Sequence, residues 1–259
     1  MAELIGVVGK TGTGKSTSIK NLDPATTFII NVASKPLPFK GWKKKYTKMN
    51  KDCSEGNYVA TSNHEVIRKL VKIISARRPE IKVIVLEDSS YIMSFEIFDR
   101  AKENSYTKQV EIAQHYADTL RAAHDLRDDL MLIVLTHPDV EKDTFGDTTE
   151  MKMKTYGKMT DKYMSLDGLF TYVLFTKVLP LNPDEDINED SEFRYVFQTN
   201  DHSKISTAKT PEGVFEEKYI DNDLSIVVDK INRYNDGDDE DEEETETKQL
   251  ESEDEDDDV

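Results

Sequence analysis

Leu4-Ile5-Gly6-Val7-Val8-Gly9-Lys10-Thr11-Gly12-Thr13-Gly14-Lys15-Ser16 is the stretch on which the fold turns. Its first five residues are apolar without strict alternation, the pattern of a strand buried on both faces. The next eight match G-x-x-x-x-G-K-[ST]. Glycines let a backbone curl and aim successive N–H groups at an anion. A helix expected over Lys15–Asn21 would then turn its positive end toward the same anion. The expected phosphate contacts are Gly9, Lys10, Thr11, Gly12, Thr13, Gly14, Lys15, Ser16 and Thr17, with Lys15 reaching the outer phosphates and the Ser16 hydroxyl ligating Mg²⁺.

Working outward, similar apolar runs occur at Thr27–Val32, Lys82–Glu87, Leu130–Thr136, Thr171–Lys177 and Arg194–Thr199. Helical periodicity separates several of them. Val66, Ile67, Leu70, Ile73 and Ile74 recur at spacings of three and four, and Ser62 with Glu65 has the form of a capping box. A longer helix is expected from Ser105 to Leu126. Strand–helix–strand alternation of this kind predicts an α/β fold with a mainly parallel central sheet flanked by helices. Lys35–Asp52, Val140–Ser165 and Leu181–Glu192 do not fit the alternation, and the last reads as a turn between two final strands.

A phosphate loop needs an acid at the end of a neighbouring strand to complete a magnesium shell. Val83-Ile84-Val85-Leu86-Glu87-Asp88 supplies two. Asp88 lies just past the apolar run, where strand ends face the crevice, and is the expected Mg²⁺ residue. Adjacent strand residues point to opposite faces, so Glu87 is expected to act apart from it, as a base orienting water. The next strand ends in Thr136-His137-Pro138, and His137 is a candidate sensor of the terminal phosphate. The catalytic candidates are thus Lys15, Glu87 and His137. The other four histidines show no ligand-like spacing in sequence, and no zinc or iron site is expected.

Composition narrows the class. The chain has 259 residues, 52 acidic and 34 basic, for a net charge of −18. Residues 235–259 hold 16 acids and one lysine, so residues 1–234 carry 36 acids against 33 bases. The expected organisation is one domain over 1–234 and a disordered acidic tail over 235–259, since a segment so polar cannot bury enough apolar surface to offset its ordering entropy. No apolar run is long enough to cross a bilayer, the N-terminus lacks a secretory pattern, and Cys53 is the single cysteine. A cytoplasmic protein is expected. No N-K-x-D guanine reader follows a late strand, and Asp143-Thr144-Phe145-Gly146 lies well past one, so adenine nucleotide is the expected cofactor, with Mg²⁺. A nucleotide or nucleoside kinase is the rival enzyme, although arginines for clamping two sets of phosphates are few. A non-enzymatic ATP-dependent interaction module is the other rival.

The order of motifs resembles the phage-encoded RecA-like ATPases of the AAA_24 type, including the single-strand-annealing recombination proteins of that group. The likeness runs from Leu4 to about Asp229. It rests on Gly9–Ser16, the strand ending Asp88-Ser89, and Leu135-Thr136-His137. Tyr156-Gly157-Lys158-Met159 and Ala208-Lys209 add to it. The resemblance implies a RecA-like core, ATP binding and action on single-stranded DNA in recombination or replication. It also implies a ring or filament in which a neighbour's Lys204 or Lys209 completes the site, and residence in the host cytoplasm. Proteins of this type carry a glutamate after the second strand, whereas Asn31-Val32-Ala33-Ser34-Lys35 has no acid. Either Glu87 substitutes for it, or hydrolysis is slow and ATP acts mainly as a conformational ligand.

Between Lys35 and Lys51 lie seven lysines and no acid. Lys40, Trp42, Lys43, Lys44, Lys45 and Tyr46 interleave charge with aromatic faces, which suits single-stranded DNA: lysines track phosphates while rings stack on bases. The bland reading is a solvated loop whose aromatics anchor it to the body. The acidic tail could compete with DNA for these lysines or recruit a basic protein partner.

Overall fold

The computed structural model describes residues 1–103, 105–155, 165–182, 191–203 and 205–237. Ten strands are described: β1 (Glu3–Val8), β2 (Thr27–Asn31), β3 (Tyr58–Ala60), β4 (Val83–Glu87), β5 (Met131–Thr136), β6 (Pro138–Lys142), β7 (Thr148–Met153), β8 (Tyr172–Pro180), β9 (Phe193–Gln198) and β10 (Tyr219–Asp221). Helices are α1 (Trp42–Lys45), α2 (His64–Arg77), α3 (Tyr91–Asp99), α4 (Tyr106–Arg121) and α5 (Leu224–Asp236).

Eight strands form one sheet in the order β10-β9-β8-β1-β5-β4-β2-β3. Six are parallel, from β8 to β3, and β9 and β10 close the other edge in antiparallel fashion. The expected α/β class with a mainly parallel sheet is therefore correct. β1 and β4 flank β5, so the glycine loop and the Glu87 strand end are two strands apart and open on the same edge.

Both faces of the sheet are covered, which is why these strands read as unbroken apolar runs. Leu4 and Val8 face a cluster with Ile67, Leu70 and Ile74 of α2, Ile92 of α3 and Tyr116 and Leu120 of α4. Ile5 and Val7 face the other way, onto Ile19 and onto Leu224, Val227 and Ile231 of α5. Each such side chain contributes about 1.5–3 kcal/mol by leaving water. The period-2 alternation along β1 thus fixes which helices lie on which side.

Several local expectations are corrected. The helix expected over Lys15–Asn21 is a five-residue 3₁₀ turn, Thr17–Asn21, so little axial dipole stands behind the loop. The cap of α2 is Asn63, whose side chain accepts from the N–H groups of Glu65 and Val66, rather than Ser62. Val140–Ser165, which does not fit the alternation, holds most of a hairpin made by β6 and β7. Its turn uses Asp143 to accept from the N–H groups of Phe145 and Asp147, which accounts for the D-x-x-G spelling there. The turn expected over Leu181–Glu192 is pinned by the Leu181 N–H to the Glu192 carbonyl, although 183–190 lie outside the described residues. Tail residues Asn235 and Asp236 belong to the last turn of α5, with Gly237 beyond it in the left-handed conformation, and 238–259 lie outside the described residues. Among the described residues no helix is long and apolar enough to cross a membrane.

Candidate functional site

The loop after β1 is held at its start and closed on itself. The Gly9 N–H donates to Thr136 O at the end of β5, and the Thr13 hydroxyl donates to Lys10 O at 2.8 Å. Gly12 and Gly14 sit at φ 85° and 88°, where a side chain would be strained. At Gly9 space decides instead, since a Cβ would lie 1.9 Å from Thr176 Oγ1. These three glycines explain how the spacing in the sequence becomes a tight cradle. It lines a cleft of about 340 Å³ together with Lys35, His137 and Tyr195.

Five of the expected residues converge below the cradle. Lys15 is buried, with its Nζ 3.7 Å from Asp88 Oδ1. The Ser16 hydroxyl donates to Glu87 Oε1. His137 Nε2 lies 3.6 Å from Asp88 Oδ1. Glu87 and Asp88 are both fully buried. The expectation that the two acids face apart is overturned. Asp88 has left the strand and adopts φ 57°, a left-handed conformation rare outside glycine, which swings its carboxylate round toward the same lysines that Glu87 faces. The serine hydroxyl is accordingly bonded to Glu87, not to Asp88, the acid expected beside it.

Lys35 is the residue that sequence reading misplaced. It stands among the lysines of the expected polymer-binding segment, yet its ammonium pairs with Asp88 Oδ2. The geometry explains the missing acid after the second strand. Asn31, the last residue of β2, donates from Nδ2 to the Lys35 carbonyl at 2.6 Å, and Ser34 at φ 57° turns the chain so that a lysine enters the site. The one signal available was position, since Lys35 follows a strand whose carboxyl end faces the crevice. Tyr195 on β9 is a second such residue, and at 49% exposure it offers a ring to the cleft.

The electrostatics follow from burial. Burial, and then the neighbouring Asp88, pushes the Glu87 carboxyl up to about 7. Burial pulls Lys15 down against the attraction of Asp88 and Glu87. For Lys35, burial is outweighed by the contact with Asp88 and the charge of Glu87, so its ammonium is held above the usual value. His137 is pulled down by burial and by Lys15, so near neutral pH its ring is uncharged.

The chemistry of the donor set fits magnesium and a polyphosphate. Glu87 Oε2 is buried without a hydrogen-bond partner, beside an oxygen already in contact with the Ser16 hydroxyl. Two such hard oxygens suit Mg²⁺. The glycine cradle and Lys15 suit phosphate oxygens.

The aromatic half of the expected DNA interface is not available. Tyr46 and Phe39 are buried against each other at 6.4 Å, and half-buried Trp42 packs on Tyr58 at 5.6 Å. Lys43 lies over Trp42, and Lys45 donates to the Lys20 carbonyl at 2.9 Å. Rings at helical or loop spacing among lysines are thus anchors, while Lys40, Lys43, Lys44 and Lys45 are exposed. Lys209 is exposed, whereas Lys204 and Tyr156-Gly157-Lys158-Met159 lie outside the described residues.

No family model matches the chain, the AAA_24 type included, and no curated protein matches it. Among solved structures it is similar to the genome packaging NTPase B204 from Sulfolobus turreted icosahedral virus 2, in complex with ATP-gammaS. That likeness has 12% identity and a TM-score of 0.36, and covers 76% of this chain and 91% of that one. A likeness so distant carries no functional weight; the loop, the paired acids and the lysines around them carry the reading below.

Proposed function

We propose that this chain is a P-loop ATPase that binds ATP·Mg²⁺ and hydrolyses it slowly, with single-stranded DNA as its effector. The observation that supports it most strongly is the hydroxyl of Ser16 on Glu87 with Lys15 and Asp88 facing each other alongside. In this reading the two acids exchange the roles that their order in the strand suggested. Gly9–Thr17 and Lys15 hold the phosphates, Ser16 and Glu87 hold magnesium, and Asp88 accepts the proton of the attacking water. When bound, magnesium neutralises phosphate charge. Lys35 and His137 position the Asp88 carboxylate, and the ring of Tyr195 stacks on the base.

DNA enters the proposal through charge alone. Lys40, Lys43, Lys44 and Lys45 follow directly on Lys35, Pro36 and Pro38, which line the cleft, so phosphates bound there would bear on the segment that carries Lys35. With the rings turned inward, binding would be strongly salt-dependent and indifferent to sequence. The acidic residues 235–259 would compete for the same lysines, and their deletion would tighten DNA binding at low salt. The RecA-like ring or filament implied by the resemblance belongs to the same proposal, with exposed Lys209 as the neighbour's cation.

ATP turnover measured with and without single-stranded DNA, in wild type, Lys15→Ala and Asp88→Asn, tests it. Turnover should rise with DNA and vanish in both variants, while Asp88→Asn still binds ATP. Unchanged turnover in both variants would overturn the assignment. One observation favours a second reading, a binding module that uses ATP without hydrolysing it: both Asp88 oxygens meet cations, Oδ1 that of Lys15 and Oδ2 that of Lys35. ATP binding with no turnover under any condition would select that reading.

A further inference from the structure

Away from the cleft, three helices bring together a second group of metal-competent side chains. His64 opens α2, Glu96 lies on α3 and His115 on α4. One ligand atom from each lies within 4.8 Å of the others. We infer that His64, Glu96 and His115 form a site for one borderline divalent cation of the zinc, cobalt or nickel type.

Unsatisfied atoms carry the inference. His64 Nδ1 and Glu96 Oε2 are both buried and have no hydrogen-bond partner. Buried polar atoms are normally paired, so two unpaired atoms from different helices in one three-residue cluster point to a ligand there. The other carboxylate oxygen is already fixed: Glu96 Oε1 accepts from Arg100 Nη1 at 3.0 Å and lies 2.8 Å from His115 Nδ1. That hold leaves Oε2 free to bind in monodentate fashion with its partner oxygen oriented, as second-shell contacts to metal ligands commonly do.

The donor chemistry selects the ion. Two imidazoles and one carboxylate are the ligands of open zinc-type sites, and they disfavour magnesium or calcium, which want oxygens alone. The two rings lie parallel at 4.0 Å. An imidazole binds a metal in its own plane, so rings stacked in this way aim their nitrogens side by side, and one ring must turn out of the stack by a change of rotamer before both meet the same ion. Positive charge is the opposing factor. Arg100 pairs with Glu96, and Arg68, one turn from His64 on α2, adds a second positive charge. Arg100, however, also pairs with Glu103 and Glu111, so its charge stays compensated while Glu96 serves the metal.

A cation here would fasten α3 to α2 and α4. α3 begins three residues after Asp88, and the Ser89 hydroxyl meets the Tyr116 hydroxyl of α4 at 2.8 Å, so the fastened helices back the turn that carries Asp88. The site does not depend on the proposed ATPase activity.

The test uses the full chain without an affinity tag or nucleotide, in excess Mg²⁺ to fill hard-oxygen sites. Co²⁺ should give tetrahedral visible absorption at one equivalent. Zn²⁺ should displace it and raise the melting temperature. His64→Gln and His115→Gln, each confirmed folded by circular dichroism, should weaken Zn²⁺ binding by about tenfold or more and remove the thermal shift. Glu96→Gln should do the same while both histidines remain. No cobalt spectrum in the wild type would overturn the inference. So would zinc binding of equal strength in the histidine variants, which would place the ion on other groups.

Discussion

The cleft around Lys15 and the cluster around His64 are both polar pockets in an apolar frame, yet they are assembled by different means. The cleft draws on two strand ends: Lys15 and Ser16 follow β1, and Glu87 ends β4 with Asp88 just beyond it. The cluster takes one side chain from each of three helices, with His64 and His115 separated by 51 positions. In the first case the spacing along the chain already encodes the geometry. In the second, only packing does. The difference teaches that a site read from a motif and a site read from a fold fail in different ways, and each can be broken separately.

The largest effect is expected at Lys15. Lys15→Ala removes the one buried cation inside the cradle, and ATP binding and turnover should fall by roughly 10²–10³-fold, the usual loss for one preorganised charge at a reacting group. Zn²⁺ binding at the helical cluster should be untouched, since no atom of Lys15 takes part in it. Equilibrium dialysis of both ligands on the same variant checks this, and a parallel loss of both would dissolve the distinction.

Glu87 comes next. Its carboxyl is pushed up to about 7 from an ordinary 4.5 by burial and by Asp88. A raised carboxyl favours the folded state fully below its unfolded value, and that contribution is lost as pH rises from 4.5 through about 7. Glu87→Gln cannot ionise, so above pH 7 the metal-free variant should exceed the wild type in stability by up to roughly 3 kcal/mol and show a flatter pH profile across that window. Mg²⁺ should restore stability to the wild type at pH 8 by holding the ionised form, and should do nothing for the variant. Urea titrations at pH 5 and 8, with and without Mg²⁺, read both. A wild type with no pH dependence between 4.5 and 7 would show that the acid is not forced into the neutral form.

These two residues also mark what could be read from the chain. The parallel sheet was legible because β1, β2, β4 and β5 are buried on both faces and so spell continuous apolar runs. β3 and β10 were not, being three-residue edges, and β6–β7 was hidden by its polar side chains. The loop was legible because glycine, lysine and serine must sit at fixed spacing to do their chemistry. Asp88 was named but its partner was misjudged, since strand alternation was extended one residue too far, into a left-handed turn. Lys35, Tyr195 and the two histidines reach their neighbours only through tertiary contacts, and no local pattern announces them.

The lysine segment tests whether charge without stacking suffices for a polymer. Replacing Lys40, Lys43, Lys44 and Lys45 by alanine should lower the slope of log K against log salt by about 3, at roughly 0.7 per lost phosphate contact on a single strand. Trp42→Leu should leave that slope alone, because the ring packs on Tyr58 and its effect falls on stability instead. A slope that drops with Trp42 and not with the lysines would return the aromatics to the interface.

The smallest effect is expected at Asn63, which separates the two centres. Its side chain accepts from the N–H groups of Glu65 and Val66, at 3.0 and 3.1 Å, and so fixes the first turn of α2, where His64 lies. Asn63→Ala leaves those donors to water and should cost about 1 kcal/mol, seen as a fall in melting temperature of a few degrees. Freeing the first turn also loosens His64, so Zn²⁺ affinity should drop by a few-fold, whereas ATP affinity should hold, because α2 lines the far face of the sheet and gives no side chain to the cleft. If ATP affinity fell with zinc affinity, the two centres would share one cooperative unit through α3 and the Asp88 turn, and the helical cluster would have to be counted as part of the nucleotide machinery.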